Sequence, residues 1–339
     1  MNAETLKKTA QQMVASGKGI LAADESSGTI EKRFTKINLP STEDNRRAYR
    51  EMIITTPGLG EHISGIILYD ETIRQSAANG TPFVKILQSS GVLPGIKVDQ
   101  GTKDMDGSPN EKVTKGLDGL PERLKEYAAM GAKFAKWRAV ITIEGEALPT
   151  DANIRQNAKD LAAYAKMCQE ADIVPMVEPE VLMDGSHTME RCREVSERTL
   201  TALFEELKNA GVLIEGTILK TNMVVPGKES GEKKTADEVA EATLGVFRKV
   251  LPDTLPGQTF LSGGQSELEA TEHLNAMNKR GPFPWKLSFS YGRALQDSAL
   301  KKWAGNPANV SAAQQILSHR AKMNGLATEG KYSSEMENE

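Results

Sequence analysis

Short apolar runs recur along the chain, each followed by polar or glycine-containing residues and then a longer stretch with apolar positions three and four apart. Eight runs carry this signature: GILAAD at 19–24, ISGIILY at 63–69, GIKVD at 95–99, KFAKWRAVI at 133–141, IVPMVEPE at 173–180, EGTILK at 215–220, QTFLSGG at 258–264 and KLSFSYG at 286–292. Short β-rich runs predict strands, and the 3.6-residue spacing between them predicts helices. The helical stretches are Leu120 to Ala129, Ile154 to Ala171, Met189 to Ala210, Ala236 to Val250 and Glu267 to Lys279. Pro121 suits a first helical turn, and Gly211 follows a long helix as a C-terminal cap residue does. Between the strand ends Asp24 and Ser290 the repeat averages about 38 residues, room for one strand and one returning helix.

Eight such units predict an α/β chain folded as a single (β/α)8 TIM barrel. A doubly wound sheet is the alternative, but it calls for a glycine-rich phosphate turn, and neither GxGxxG nor GxxxxGK[ST] occurs. No linker divides the chain, so residues 1–327 form one barrel domain opened by an amphipathic N-terminal helix. Residues 328–339, TEGKYSSEMENE, are polar and acidic without apolar periodicity and predict a mobile tail.

The 339 residues hold 42 Lys+Arg and 46 Asp+Glu, a net charge of −4. That balance gives no electrostatic case for nucleic acid or an anionic membrane as a partner. No apolar run approaches the roughly 18 residues of a membrane span, and residues 1–17 lack a signal peptide's apolar segment. A cytoplasmic protein handling small molecules is expected. Cys168 and Cys192 lie in helical stretches without metal spacing and read as reduced packing residues. His62, His187, His273 and His319 are scattered, and a ligand set of Glu178, Glu180, Asp184 and His187 is interrupted by a proline and a glycine. These read as hydrogen-bonded loop residues, so metal catalysis is not expected.

The active site of such a barrel is assembled at the C-terminal ends of its strands, and here those ends are charged. Asp24 closes the first strand, Lys97 the third, Lys136 and Arg138 the fourth, Glu178 and Glu180 the fifth and Lys220 the sixth, while Arg293 follows the eighth. Spacing by two puts Lys136 with Arg138, and Glu178 with Glu180, on common strand faces. Lysines beside carboxylates suggest amine chemistry, because a nucleophilic lysine needs a freed lone pair. Lys220, at the end of the apolar run GTILK, is the best candidate, since apolar neighbours would desolvate it. A Schiff base there would act as an electron sink for a C–C bond. Glu178 and Glu180, held close, would push their pKa values apart and supply a proton carrier. The turns SGG at 262–264 and SYGR at 290–293 follow strands seven and eight, where barrels bind phosphate, giving Ser262, Gly263, Ser290, Gly292 and Arg293 as candidates. Ser26, Ser27, Arg33 and Lys97 suggest a second anion site, with a solvated helix face as the alternative reading of Lys32 and Arg33.

These motifs resemble the class I, Schiff-base fructose-1,6-bisphosphate aldolases over residues 2 to 327. The resemblance rests on GILAADES, EDNRR, LYDET, GIKVDQG, KWR, VEPE, LKTNMV, FLSGGQSE and FSYGRALQ. It implies reversible cleavage of fructose 1,6-bisphosphate to dihydroxyacetone phosphate and glyceraldehyde 3-phosphate in glycolysis or gluconeogenesis, without metal or cofactor. It assigns the imine to Lys220, proton shuttling to Glu178, tuning to Glu180 and Lys136, and the C4 hydroxyl proton to Asp24. Ser262, Gly263, Gly292 and Arg293 hold the C1 phosphate, and Ser26, Arg33, Lys97 and Arg138 stand near the other. A homo-oligomer, commonly a tetramer, follows from the resemblance alone. Two departures stand out: Thr221 replaces the proline usual after the lysine, and the chain runs on past Tyr332 where many members end in a tyrosine serving C3. Tyr332 either swings over the mouth or is an idle solvated residue. Rivals are another Schiff-base barrel acting on a different sugar phosphate, such as sedoheptulose 1,7-bisphosphate, and a scaffolding protein on an aldolase framework.

Overall fold

The computed structural model describes residues 1–338. Its centre is a closed parallel barrel of β1 (Gly19–Ala23), β2 (Ile63–Leu68), β3 (Leu93–Lys97) and five later strands. Between β3 and the fourth barrel strand comes an antiparallel ribbon of β4 (Thr102–Met105) and β5 (Ser108–Thr114). The barrel continues with β6 (Phe134–Ile141), β7 (Val174–Val181), β8 (Ile218–Thr221), β9 (Gly257–Phe260) and β10 (Lys286–Tyr291), which pairs back onto β1. Barrel neighbours are consecutive along the chain, as repeated βα units require. The eight strands lie within or beside the eight runs read from the sequence. The five expected helices span Leu120–Met130, Asp151–Glu170, Met189–Asn209, Ala236–Val250 and Glu267–Asn278. The ribbon was not expected, although its two-residue Asp106-Gly107 turn, with Gly107 at φ 81°, is a strong hairpin signal.

Two-residue alternation divides the barrel interior into an apolar floor and an ionic mouth. Ile20, Ala22, Ile67, Phe134, Val174, Met176 and Ile218 form the floor. Leu6, Ala10 and Met13, on the inner face of the N-terminal helix Ala3–Met13, pack against it and close the N-terminal end. One step further along the same faces stand Asp24, Lys136, Glu178 and Lys220. The Phe134 ring is seated against backbone: a Cβ on Gly95 would lie 2.2 Å from it, and one on Gly65 2.9 Å. The ribbon is anchored by the buried Glu111 carboxylate, which accepts from the Ser108 hydroxyl and from the Thr150 N–H and hydroxyl, each at 2.8 Å. Thr114 at its end donates to the Arg138 carbonyl at 2.8 Å, tying it to a mouth strand.

The tail read as mobile is docked in this structure. The helix Val310–Thr328 runs through the expected boundary, and Tyr332 beyond it is 3% exposed. Asn275 clasps the Tyr332 backbone from both sides, accepting from its N–H at 3.1 Å and donating to its carbonyl at 3.0 Å. Glu337 accepts from the Tyr332 hydroxyl at 2.9 Å, from Arg320, and pairs with His319 at 3.1 Å. A polar segment needs no apolar periodicity when buried partners on neighbouring helices satisfy it one by one.

Candidate active site

At the C-terminal end of the barrel lies a cavity of about 410 Å³ lined by Asp24, Ser26, Arg33, Lys97, Lys136, Arg138, Glu178, Glu180, Lys220, Ser262, Gly263, Ser290, Gly292 and Arg293. Every site residue expected from the sequence except Tyr332 is therefore brought together. Tyr332 is held among the outer helices by Asn275 and Glu337 and does not line this cavity.

The floor of the cavity carries an alternating chain of charges. Asp24 Oδ2 lies 2.7 Å from Lys136 Nζ, which lies 3.1 Å from Glu178 Oε2, while Glu178 Oε1 lies 3.0 Å from Lys220 Nζ. Burial alone would raise the Asp24 carboxyl, but Lys136 foremost, with Lys220 and Lys97, outweighs it and holds the group well below the usual carboxylate range. The same opposition acts on Glu178: burial raises it, and Lys136, Lys220 and Arg138 bring it below its ordinary value. Burial would lower Lys136, yet Asp24, Glu178 and Asp99 drive it well above the ordinary lysine range.

Two expectations change with this geometry. Lys136 and Lys220 are both 4% exposed, so burial does not single out Lys220 as nucleophile. What separates them is partners: Lys136 is gripped by two carboxylates and Lys220 by one. Nor do Glu178 and Glu180 behave as a repelling pair, because each faces its own cation: Glu178 the two lysines and Glu180 the Arg138 Nε.

The phosphate candidates divide by element. Gly263, at φ 59°, follows β9, and Gly292 immediately precedes the helix Arg293–Trp303, so a helix N-terminus, where backbone N–H groups can bind an anion, borders the cavity beside Arg293. Ser290 lines the same cavity, is 1% exposed, and its hydroxyl has no hydrogen-bond partner among the described residues. Arg33 belongs to this side: a Cβ at Gly292 would lie 3.4 Å from its guanidinium. The sequence had grouped Arg33 with Lys97 and Arg138. It stands apart because Glu25, paired also with Arg50 at 2.6 Å, binds it there. Lys97 and Ser26 mark the other side, where Ser26 Oγ lies 3.1 Å from Thr29 Oγ1.

Glu25, Thr29 and Lys36 also line the cavity and were not singled out, and Lys32, for which a solvated helix face was the expectation, lines it with them. Their signal was available, since positions 29, 32, 33 and 36 share one face of a helix. Thr221, in place of the usual proline, donates its hydroxyl to the Pro179 carbonyl at 3.2 Å, a tie between β8 and the strand bearing Glu178 that a proline lacks. Among the described residues no three His, Cys, Asp or Glu side chains converge as metal ligands.

The family model "Fructose-bisphosphate aldolase class-I" matches residues 5–339. The chain is 54% identical over 333 residues to a Xylella fastidiosa (strain 9a5c) protein named probable fructose-bisphosphate aldolase class 1, covering 98% of this chain and 99% of that relative. It is 50% identical over 331 residues to a fructose-bisphosphate aldolase of Plasmodium falciparum, covering 97% and 90%. A solved structure of Plasmodium falciparum fructose-bisphosphate aldolase, a ternary co-crystal with TRAP and a small-molecule inhibitor, superposes with a TM-score of 0.97 at 50% identity, covering 98% of this chain and 96% of that one. With half or more of its residues shared with aldolases along nearly its whole length, the chain belongs to the class I fructose-bisphosphate aldolase family.

Proposed function

We propose that Lys220 is the Schiff-base lysine of this aldolase and that Glu178 and Asp24 carry its protons. The enzyme cleaves fructose 1,6-bisphosphate reversibly to dihydroxyacetone phosphate and glyceraldehyde 3-phosphate, the reaction of its family. The observation that carries the residue assignment is the chain of contacts from Asp24 through Lys136 and Glu178 to Lys220.

Glu178 accepts a proton from the Lys220 ammonium 3.0 Å away. The freed amine adds to the C2 ketone, the ketone oxygen takes one proton from Glu178, and Glu178 takes a second from the nitrogen to give the neutral carbinolamine. Delivery of that proton to the hydroxyl expels water and leaves the iminium. The iminium draws electrons from the C3–C4 bond as Asp24 takes the C4 hydroxyl proton. Glyceraldehyde 3-phosphate leaves and an enamine remains on Lys220. Protonation at C3 and hydrolysis release dihydroxyacetone phosphate and restore the amine. Lys136, held cationic between Asp24 and Glu178, keeps both carboxylates aimed and ionised until each takes its proton, and is a poor nucleophile for the same reason. Glu180 orients Arg138 through its Nε. Ser262, Gly263, Ser290, Gly292, Arg293 and Arg33 hold the C1 phosphate, and Ser26, Lys97 and Arg138 meet the phosphate at the far end.

Borohydride reduction with dihydroxyacetone phosphate tests this. It is expected to inactivate the enzyme and label Lys220, and label on Lys136 or Lys97 with Lys220 untouched refutes the assignment. The reading also gives residues 1–327 as the catalytic domain, residues 328–339 as its appendage, a cytoplasmic place in glycolysis or gluconeogenesis, and a homo-oligomer, tetrameric by resemblance. Sedimentation velocity checks the last.

A further inference from the structure

Five cations of the barrel mouth are paired with carboxylates, and four of the pairings belong to groups already given work: Lys220 with Glu178, Lys136 with Asp24, Arg138 with Glu180 and Arg33 with Glu25. The fifth involves a residue with no part in the steps above. Asp99, just beyond the end of β3, is 8% exposed, and its Oδ1 lies 2.6 Å from Lys97 Nζ. The Asp99 carbonyl accepts from the same ammonium at 2.8 Å. Its carboxylate is fixed in turn by backbone: Oδ1 accepts from the Gly101 N–H and Oδ2 from the Arg138 N–H, both at 3.3 Å. Asp99 does not line the substrate cavity. It lines a neighbouring cavity of about 560 Å³, and Lys97 and Ser26 form the wall shared by the two.

Two of the three protons of the Lys97 ammonium are thus directed away from the substrate cavity and onto Asp99. We propose that Asp99 is a specificity-determining residue: a built-in carboxylate that competes for Lys97 and weakens the hold on the phosphate remote from the reacting ketone. The proposal rests on the reading of Lys97 as a partner of that phosphate. A dianion arriving there either draws Lys97 off Asp99 or shares it, and in both cases the fixed carboxylate opposes the incoming charge. Asp99 also acts on Lys136, but Lys136 serves both substrates alike and that contribution cancels in their ratio. The groups Asp99 touches directly, Lys97 and the Arg138 N–H, stand at the remote end, with Arg293, Gly292 and Ser262 in other loops of the mouth. Asp99 therefore tunes how far the enzyme favours doubly over singly phosphorylated ketoses.

The test measures kcat and KM for fructose 1,6-bisphosphate and for fructose 1-phosphate, which lacks only the remote phosphate. Removing the carboxylate charge with Asp99→Asn is expected to lower KM for the bisphosphate relative to the monophosphate by roughly threefold or more, the effect of one nearby charge in a partly solvated site. A merely structural role would move both substrates together. Asp99→Ser, which removes the charge in a smaller side chain, must shift the ratio in the same direction and serves if the Asn variant fails to fold. Lys97→Met is expected to raise the ratio about tenfold, the loss of one charge-assisted phosphate contact. In that background Asp99→Asn is expected to move it less than about twofold, because its partner is gone. If Lys97→Met leaves the ratio unchanged, the phosphate reading of Lys97 falls and the proposal with it. If Lys97→Met raises the ratio while neither Asp99 variant lowers it, the proposal alone is overturned.

Discussion

Tyr332→Phe separates a docked tail from one that takes part in catalysis. The substitution removes one hydroxyl whose bond to Glu337 Oε1 is 2.9 Å, and leaves the buried ring and the backbone clasp of Asn275 in place. A hydrogen bond to a charged acceptor contributes about 1.5–3 kcal/mol. Glu337 keeps Arg320 and His319, so the lower end applies, and ~1.5 kcal/mol corresponds to roughly a tenfold rise in the opening equilibrium of the tail. Hydrogen–deuterium exchange read on peptides covering residues 329–338 measures that opening directly. The expected result is a tenfold loss of protection confined to those peptides, with cleavage and exchange of the C3 proton of dihydroxyacetone phosphate at wild-type rates. A large fall in C3 exchange with imine trapping at Lys220 intact would show that the tyrosine hydroxyl leaves Glu337 during turnover and reaches the substrate, and the docking argument would then be refuted.

Glu178→Gln keeps the shape of the shuttle and removes its basicity, so single-turnover imine trapping is expected to slow about 10²–10⁴-fold while the label still falls on Lys220; an unchanged trapping rate assigns the proton elsewhere. The Asp24 and Glu178 carboxyls lie below their unfolded values near 4, so their stabilisation is present above about pH 4 and is lost as pH falls through the folded values. Lys136 lies above its unfolded value near 10.4, so its contribution is full below that pH and fades as pH rises through the folded value. Urea midpoints that fall below pH 4 in the wild type, and fall less in Asp24→Asn, check the acid limb. Gly95→Ala places a methyl 2.2 Å from the Phe134 ring and is expected to cost about 1–3 kcal/mol by urea unfolding, with partial recovery in Phe134→Leu.

Much of the site was legible because strand periodicity is local. Once GILAAD, KFAKWRAVI, IVPMVEPE and EGTILK are strands, alternation puts Asp24, Lys136, Glu178 and Lys220 on the face that holds Ile20, Phe134, Met176 and Ile218 deeper in the barrel. Barrel closure then needs only the order of eight consecutive units, which repeated strand and helix signals supply. The DG turn of the ribbon and the helical face at 29, 32, 33 and 36 were equally local, and needed only to be weighed.

What the sequence by itself determined was the architecture, the chemical class of the mouth and the identity of the residues that reach it, since each follows from spacing along one strand or helix. Only the tertiary structure decided which charge meets which. Alternation says that Lys136 and Lys220 face inward, but two carboxylates from different strands close on Lys136 and one on Lys220, and the proposed division into scaffold and nucleophile rests on that difference. The packing of the helix Ser27–Thr35 put the Arg33 guanidinium beside Gly292, and a carboxylate just past β3 pairs with Lys97 at the cavity wall. Asn275, Arg320 and His319, from two outer helices, hold the polar tail through Tyr332 and Glu337. These are contacts between elements far apart in the chain, set by how strands and helices pack around a closed barrel, and no local period encodes them.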